Sequence, residues 1–152
     1  VIFVFIDFFK SKLNWMLNVY KFFFKTISRE HELNCFTGAS WLLLGDLFVL
    51  SIFPESIAVF SMFLLSISDS FAAIFGKYFG ETKLFSKTLE GSFAFLISGF
   101  LIAIFFQEIP LSLKIITVVI ATITEALPLK VSDNLIIPVL SASVCYLGIN
   151  II

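Results

Sequence analysis

Long apolar runs recur along this 152-residue chain, and they restrict its fold more than any other feature. A helix needs about 20 apolar residues to cross the roughly 30 Å hydrocarbon core of a bilayer. Five runs approach that length: Cys35–Phe53, Ser56–Phe75, Ser92–Gln107, Leu111–Leu127 and Leu135–Ile152. Because lipid offers no hydrogen bonds to an exposed backbone, each run is predicted to be a full transmembrane helix.

The composition also favours a membrane protein. Hydrophobic residues make up 59% of the chain and charged residues 14%, with a mean hydropathy of +1.06; soluble domains average about 25% charged residues. We therefore predict an all-α polytopic transmembrane helix bundle, formed as a single membrane-embedded domain over residues 1–152. The net charge of −1 and the lack of a free basic stripe argue against nucleic-acid binding.

The N-terminal part is predicted to lie partly in and partly on the membrane. Val1–Phe9 is about half a span and lacks an initiator methionine, so we expect the amino end to be incomplete. In Lys10–Asn34, aromatic residues alternate with lysine and arginine, which is typical of an amphipathic segment at the membrane interface.

The basic residues predict the orientation, because lysine and arginine are retained on the cytoplasmic side of short loops. With Lys10–Asn34 inside, nine of the ten basic residues lie inside and only Lys114 lies outside. Three polar segments then converge on the cytoplasmic face, namely Arg29–Glu32, Gly76–Gly91 and Glu125–Asn134. The same charge bias is expected of a membrane protein that has no site there.

Asp69, inside the second apolar run, is the strongest functional signal, because ionisable groups in spans are costly and commonly functional. Small and polar residues recur around it at helical spacing: Met62, Ser66, Asp69, Ala73, Gly76 and Gly80. The spacing predicts one stripe of a helix that faces protein. For the two glycines, close helix packing, either within the chain or in a dimer, is the favoured explanation.

The polar residues after Asp69 suit a metal that carries phosphates. Mg²⁺ prefers carboxylate oxygens and keeps several waters, so one or two acids beside water are sufficient. The available acids are Asp69, Glu90, Glu125 and Asp133. The cations that would meet phosphates are Lys77, Lys83 and Lys87, and the glycines that would allow close backbone approach are Gly76, Gly80 and Gly91. Tyr78 follows Gly76-Lys77, so this is not a Walker loop.

Two adjacent motifs, Asp69-x-x-Ala72-x-x-x-Gly76-Lys77-x-x-Gly80 and Lys87-Thr88-x-Glu90-Gly91-Ser92, resemble the signature of the CTP-dependent polyprenol kinase family. The family includes dolichol kinase, phytol kinase and CTP-dependent diacylglycerol kinase, and it is related to phosphatidate cytidylyltransferase. Further matches are Arg29-x-x-Glu32, Thr37-Gly38-Ala39, Glu125 and Asp133-Asn134-x-x-x-Pro138. Asp7-x-x-Lys10 departs from the Asp-x-x-Arg expected near the start, and the basic C-terminal signature of the cytidylyltransferases is absent, which favours the kinases.

The resemblance implies that a lipid alcohol attacks the γ-phosphate of CTP at the cytoplasmic face, giving a lipid phosphate and CDP. Catalysis of this kind is mainly positioning and charge neutralisation. Asp69 would coordinate Mg²⁺. Glu125 or Asp133 would be a second metal ligand or the base that takes the hydroxyl proton, and the residues do not separate these roles.

The resemblance also implies a phosphate-binding set. Lys77 and Lys87 would hold the phosphates, and Glu90 would orient Lys87 or join the metal shell. The implied nucleotide-binding residues are Gly76, Lys77, Gly80, Lys87 and Gly91.

Two alternative functions remain open at this stage. Phosphatidate cytidylyltransferase would use the same acids and lysines but release pyrophosphate. A small transporter would carry protons or cations on Asp69 and on Asp46, the second acid within an apolar run. His31 is the only histidine, so a multi-histidine metal site is excluded. The identity of the alcohol, whether dolichol, a shorter prenol, phytol or diacylglycerol, does not follow from the sequence.

Overall fold

The computed structural model describes residues 2–10, 13, 18, 20, 22, 36–129 and 131–151. Six helices have both ends within those residues: α1 (Ile2–Lys10), α2 (Gly38–Ile52), α3 (Glu55–Phe79), α4 (Leu89–Phe105), α5 (Leu111–Ala126) and α6 (Asp133–Ile151). Two short strands, β1 (Lys83–Leu84) and β2 (Lys87–Thr88), form an antiparallel hairpin between α3 and α4. The prediction of an all-helical chain is confirmed.

The predicted number of membrane spans is confirmed only in part. The 25-residue α3 and the segment Asp133–Asn150 of α6 are long and apolar enough to cross a bilayer. Helices α2, α4 and α5 have 15, 17 and 16 residues, or about 22–26 Å at 1.5 Å per residue, which is less than the roughly 30 Å core. Full spans at those three helices stay predictions. Arg29–Glu32, His31 and most of Lys10–Asn34 lie outside the described residues.

The starts of the helices follow from local sequence. Thr37 and Thr88 cap α2 and α4, since their side-chain oxygens accept hydrogen bonds from the backbone N–H groups of Ser40 and Gly91, both at 3.2 Å. Pro54 and Pro110 precede α3 and α5 with φ near −54° and −53°, which restricts the turns between successive helices.

The helices run in alternate directions, so one end of the bundle collects the polar segments. At this end, which we call the polar end, the side-chain nitrogen of Asn134 donates to the Gly38 carbonyl at 2.9 Å and joins the starts of α6 and α2. The opposite end is aromatic: Phe53 meets Tyr146 edge to face, and Phe60 packs against Phe106. Between the ends lies an apolar core that includes Leu64, Phe95, Val118 and Ile137.

A π-helical segment, Leu64–Asp69, interrupts α3 just where Asp69 lies. Leu65, Ser68 and Ala72 are buried in this part of the helix, whereas Ser66 and Ala73 are exposed. The predicted protein-facing stripe is therefore wrong at Ser66 and Ala73. The simple helical spacing did not allow for a wider turn, and such turns recur at functional sites.

Candidate active site

Lys87 connects two loops at the polar end. Its ammonium nitrogen lies 2.9 Å from Oε1 of Glu125 and 2.9 Å from Oδ2 of Asp133. The predicted convergence of Gly76–Gly91 with Glu125–Asn134 is therefore confirmed by direct ion pairs.

The β-hairpin and the first turn of α4 hold Lys87 in place. In β2, Lys87 pairs with Leu84, and the turn between the strands contains Phe85 at a positive φ of 55°, which is uncommon for a bulky residue. The backbone N–H of Thr82 donates to both carboxylate oxygens of Glu90, at 3.0 and 3.3 Å. Glu90 thus ties the base of the hairpin to α4 and is not a direct partner of Lys87.

Glu125, in the last turn of α5, is almost fully buried at 3% exposure. While Oε1 contacts Lys87, Oε2 accepts a hydrogen bond from the Ser92 hydroxyl at 3.0 Å. Both oxygens of this carboxylate are therefore engaged. Sequence reasoning placed Ser92 in the motif but missed its role; the available signal was that it follows Thr88 by four residues, one helical turn.

Asp133 begins α6 and is more accessible than Glu125. Its side chain is 36% exposed, and its Oδ1 accepts a hydrogen bond from the backbone N–H of Asn134 at 3.1 Å. The carboxylate lies in the first turn of α6, where a negative charge interacts favourably with the helix dipole, and it also binds Lys87.

Asp69 is half-buried at the end of the π-helical segment and interacts electrostatically with Asp133, Lys87 and Glu125. Within the described residues, its carboxylate accepts no hydrogen bond and forms no ion pair. Among the three acids of this cluster, Asp69 alone has both oxygens free of such partners, so its lone pairs are available to a ligand.

The four charged groups carry an unbalanced negative charge. Burial lowers the pKa of Lys87, but hydrogen bonds and charges from Asp133 and Glu125 outweigh it, so the pKa lies above its ordinary 10.5 and the ammonium is protonated at neutral pH. One cation faces three acids, an excess of two negative charges when all are ionised. In the part of the chain that the structure describes, no three His, Cys, Asp or Glu residues form a ready-made metal cluster.

A cavity of about 340 Å³ opens beside Lys87 and Asp133. Its remaining wall comes from the β-hairpin turn and the α5–α6 loop: Ser86, Leu127, Pro128, Leu129, Val131 and Ser132. The polar end thus offers a space that reaches both a lysine and a partly exposed carboxylate.

The three predicted glycines lie where α3 crosses α4 and β2. A Cβ atom on Gly76 would come within 2.7 Å of the Thr88 hydroxyl, and one on Gly91 within 2.8 Å of the Ala72 carbonyl. A Cβ on Gly80 would collide with the carbonyl of Gly76. These contacts favour a role for the glycines in close packing.

Lys77 is exposed near the end of α3, with its ammonium 5.9 Å from the ring centre of Tyr78. Among the described residues, no carboxylate lies within ion-pair distance of it. Its charge is therefore available to a ligand that approaches this end of α3.

Curated proteins that are similar to this chain include two with the same name. CTP-dependent diacylglycerol kinase 1 of Schizosaccharomyces pombe is 32% identical over 90% of this chain, and the match covers 72% of that protein. An uncharacterized protein of Rickettsia prowazekii is 33% identical over 76% of this chain and 62% of its own length. CTP-dependent diacylglycerol kinase 1 of Eremothecium gossypii is 37% identical over 48% of this chain, but the match covers only 24% of that protein. No family model and no solved structure matches the chain.

Proposed function

The chain belongs to the CTP-dependent lipid kinase family, and from this premise we propose that it transfers the γ-phosphoryl group of CTP to the hydroxyl of a lipid alcohol, releasing CDP. Diacylglycerol is the acceptor we favour, because the two related kinases carry it in their names. The observation that carries the proposal is the bridge from Lys87 to Glu125 and Asp133 beside a cavity at the polar end.

The donor set at the polar end fits a hard divalent cation. An excess of two negative charges would repel CTP, so a cation has to offset it before phosphates can approach. Mg²⁺ is usually held by one or two carboxylates together with substrate phosphates, and a cage of three protein ligands is not required. Asp69, whose carboxylate oxygens have no partner among the described residues, is the proposed protein ligand. When bound, Mg²⁺ would neutralise charge on the transferring phosphoryl group.

The protein residues would then position the phosphates and the hydroxyl. Lys87 would hold a phosphate as a point charge, and Lys77 would provide a second contact from the end of α3. Glu125 acts as a positioning residue, because both its oxygens are engaged and its side chain is nearly buried. Asp133 is the better candidate to accept the hydroxyl proton, since it faces the cavity.

The expected location of the site is the cytoplasmic membrane face. There CTP would enter from water, while the alcohol would reach the site from the bilayer. Glu90 would contribute indirectly, by fixing the hairpin that carries Lys87.

The test is a labelling experiment in membranes that contain the full chain, with Mg²⁺, a mixture of lipid alcohols, and CTP labelled at the γ or the α phosphate. We expect label to enter lipid from the γ position only, and Asp69→Asn to abolish it. Chromatography of the product identifies the alcohol. Label from the α position would replace the proposal with cytidylyl transfer, and no label from either position would overturn it.

A further inference from the structure

An apolar groove of about 420 Å³ lies between the outer surfaces of α3 and α4. Its walls are built mainly from six exposed apolar side chains: Phe71, Phe75, Leu89, Phe93, Ile97 and Leu101. The rings of Phe71 and Phe75 stack with their centres 6.1 Å apart and their planes within 14°. No part of the charged cluster around Lys87 lines this groove.

The groove has the length and direction of a lipid chain in one leaflet. From Leu89 to Leu101, α4 rises about 18 Å at 1.5 Å per residue, and one leaflet of hydrocarbon is about 15 Å thick, half of the bilayer core. One wall belongs to α3, which is long and apolar enough to cross the membrane. The groove therefore extends from the polar end of the bundle toward the membrane centre.

Polarity in the groove is confined to its mouth. Of the described residues that line it, only Glu90 is ionisable, and Glu90 lies at the polar end beside Leu89. Ser98 also lines the groove, but its hydroxyl donates to the Ala94 and Phe95 carbonyls of its own helix. The wall thus matches a molecule with a long apolar chain and a polar group at one end.

The mouth lies at the polar end of the bundle, as the charged cluster does, and the two are close in sequence. Lys87 precedes Glu90 by three residues, and Thr88 between them caps α4. On the other side of the crossing, Gly76 and Gly91 bring α3 and α4 into close contact.

We propose that the groove between α3 and α4 binds one hydrocarbon chain of the lipid substrate, with the polar end of the lipid leaving the Leu89–Glu90 mouth at the polar end of the bundle, which also carries Lys87. This inference rests on the proposed lipid kinase function and adds the element that selects chain length. A bulk membrane lipid would also cover the groove, but its occupancy would not affect phosphorylation.

Three substitutions at increasing depth in the groove test how far the lipid chain extends into it. Phe93→Trp, Ile97→Trp and Leu101→Trp narrow it at about 6, 12 and 18 Å from Leu89. The matched control is Ile104→Trp, because Ile104 is on the same helix, is 65% exposed and lies outside the groove. The substrates are dioctanoyl, dilauroyl and dipalmitoyl glycerol, assayed in the same mixed micelles with γ-labelled CTP.

We expect the KM for dipalmitoyl glycerol to rise about tenfold in Ile97→Trp, equivalent to about 1.4 kcal/mol, with little change for the dioctanoyl substrate. Phe93→Trp should also impair the shorter chains, Leu101→Trp only the longest, and Ile104→Trp none. Equal effects on all chain lengths, or equal effects of Ile97→Trp and Ile104→Trp, would overturn the inference.

A binding readout separates this inference from the proposed function. Diacylglycerol with a photoreactive diazirine near the end of one acyl chain is irradiated with the protein without CTP, and the labelled peptides are mapped. Labelling of α4 between Phe93 and Leu101, reduced in Ile97→Trp, supports the groove even if no alcohol is phosphorylated. Phosphorylation with labels mapped elsewhere would refute the groove and leave the kinase proposal intact.

Discussion

Two lysines at opposite ends of the bundle are buried or partly buried, and their surroundings differ. Lys114, in the first turn of α5, is 7% exposed, and its ammonium donates to the Phe106 carbonyl at 3.0 Å. Lys87, at the polar end, has a side chain 27% exposed and contacts the carboxylates of Glu125 and Asp133.

The Lys114 contact is explained by structure alone. Phe106 follows the last residue of α4, where carbonyl groups lack helical partners. A lysine that reaches such a carbonyl satisfies it and interacts favourably with the helix dipole. Stability therefore accounts for Lys114.

Stability does not account for the surroundings of Lys87. One lysine faces two bonded acids and a third, Asp69, within electrostatic range. Buried ion pairs are often no more stable than apolar residues of similar size, and an excess of negative charge adds repulsion. A site that binds a cation and phosphates would explain why one lysine lies among three acids. The following substitutions test this contrast.

The largest difference is expected between two acids that lie within apolar helices, Asp69 in α3 and Asp46 in α2. Asp69→Asn keeps the shape of the side chain but removes the charge proposed to hold Mg²⁺, so phosphoryl transfer should fall by about 10³-fold or more. Asp46→Asn, in α2, should change activity by about threefold at most, under 1 kcal/mol. Initial rates with γ-labelled CTP measure both, and circular dichroism checks folding. A comparable loss of activity in both variants would show that Asp69 matters no more for phosphoryl transfer than Asp46.

The next contrast compares the two lysines directly. Lys87→Met should lower activity by about 10²- to 10³-fold and destabilise the protein by about 1–3 kcal/mol, since two carboxylates lose their partner in a partly exposed site. Lys114→Met should lose about 1 kcal/mol of stability, one hydrogen bond, and retain turnover. Thermal unfolding in micelles and the labelling assay measure the two quantities. Full activity in Lys87→Met would contradict the proposed site.

The stability that Lys87 provides should also depend on pH. Its pKa is raised in the folded protein, so the contribution is complete below about pH 10.5, its ordinary pKa, and is lost as the pH rises through the folded value. The difference in free energy of unfolding between wild type and Lys87→Met should therefore be smaller above the folded-state pKa of Lys87 than at pH 8.

Part of this site was predictable from sequence because it depends on the order of the apolar helices and the loops between them. Apolar runs place successive loops on alternate sides, so Lys87 had to lie at the same end as Glu125 and Asp133. The Asp69 motif and the family resemblance pointed to the same residues. The helical content of the described residues follows from the same runs.

Other features depend on packing that no local pattern reports. The two-residue strands, the π-helical segment and the Ser92–Glu125 contact are set by how far each helix is rotated against its neighbours. The apolar groove could not be predicted either. The chain has 21 phenylalanines, and the sequence does not indicate which of them line a space large enough for a lipid chain.

A smaller contrast concerns glycines. At Gly76, a methyl group would lie 2.7 Å from the hydroxyl of Thr88, a stiff side chain that also caps α4; Gly76→Ala should cost about 1–3 kcal/mol. At Gly148, the obstructing atoms are the flexible end of Leu113, so Gly148→Ala should cost about 1 kcal/mol or less. Thermal unfolding tests both. Partial recovery in the double variant Gly76→Ala/Thr88→Ala would identify the hydroxyl as the cause.

The smallest effect concerns the hydroxyl that holds Glu125. Ser92→Ala removes its hydrogen bond to a nearly buried carboxylate, which should cost about 1–2 kcal/mol and loosen the partner of Lys87. Ser143→Ala in α6 is the control, because among the described residues the Ser143 hydroxyl bonds only to the Val139 carbonyl of its own helix. If Ser92 positions Lys87 through Glu125, kcat in the labelling assay should fall several-fold with little change in KM for the lipid, and Ser92→Thr should restore it. Loss of stability with unchanged kcat would show that Ser92 has a structural role alone. The Ser92–Glu125 hydrogen bond would then stabilise the fold, as the Lys114 contact does, without affecting activity.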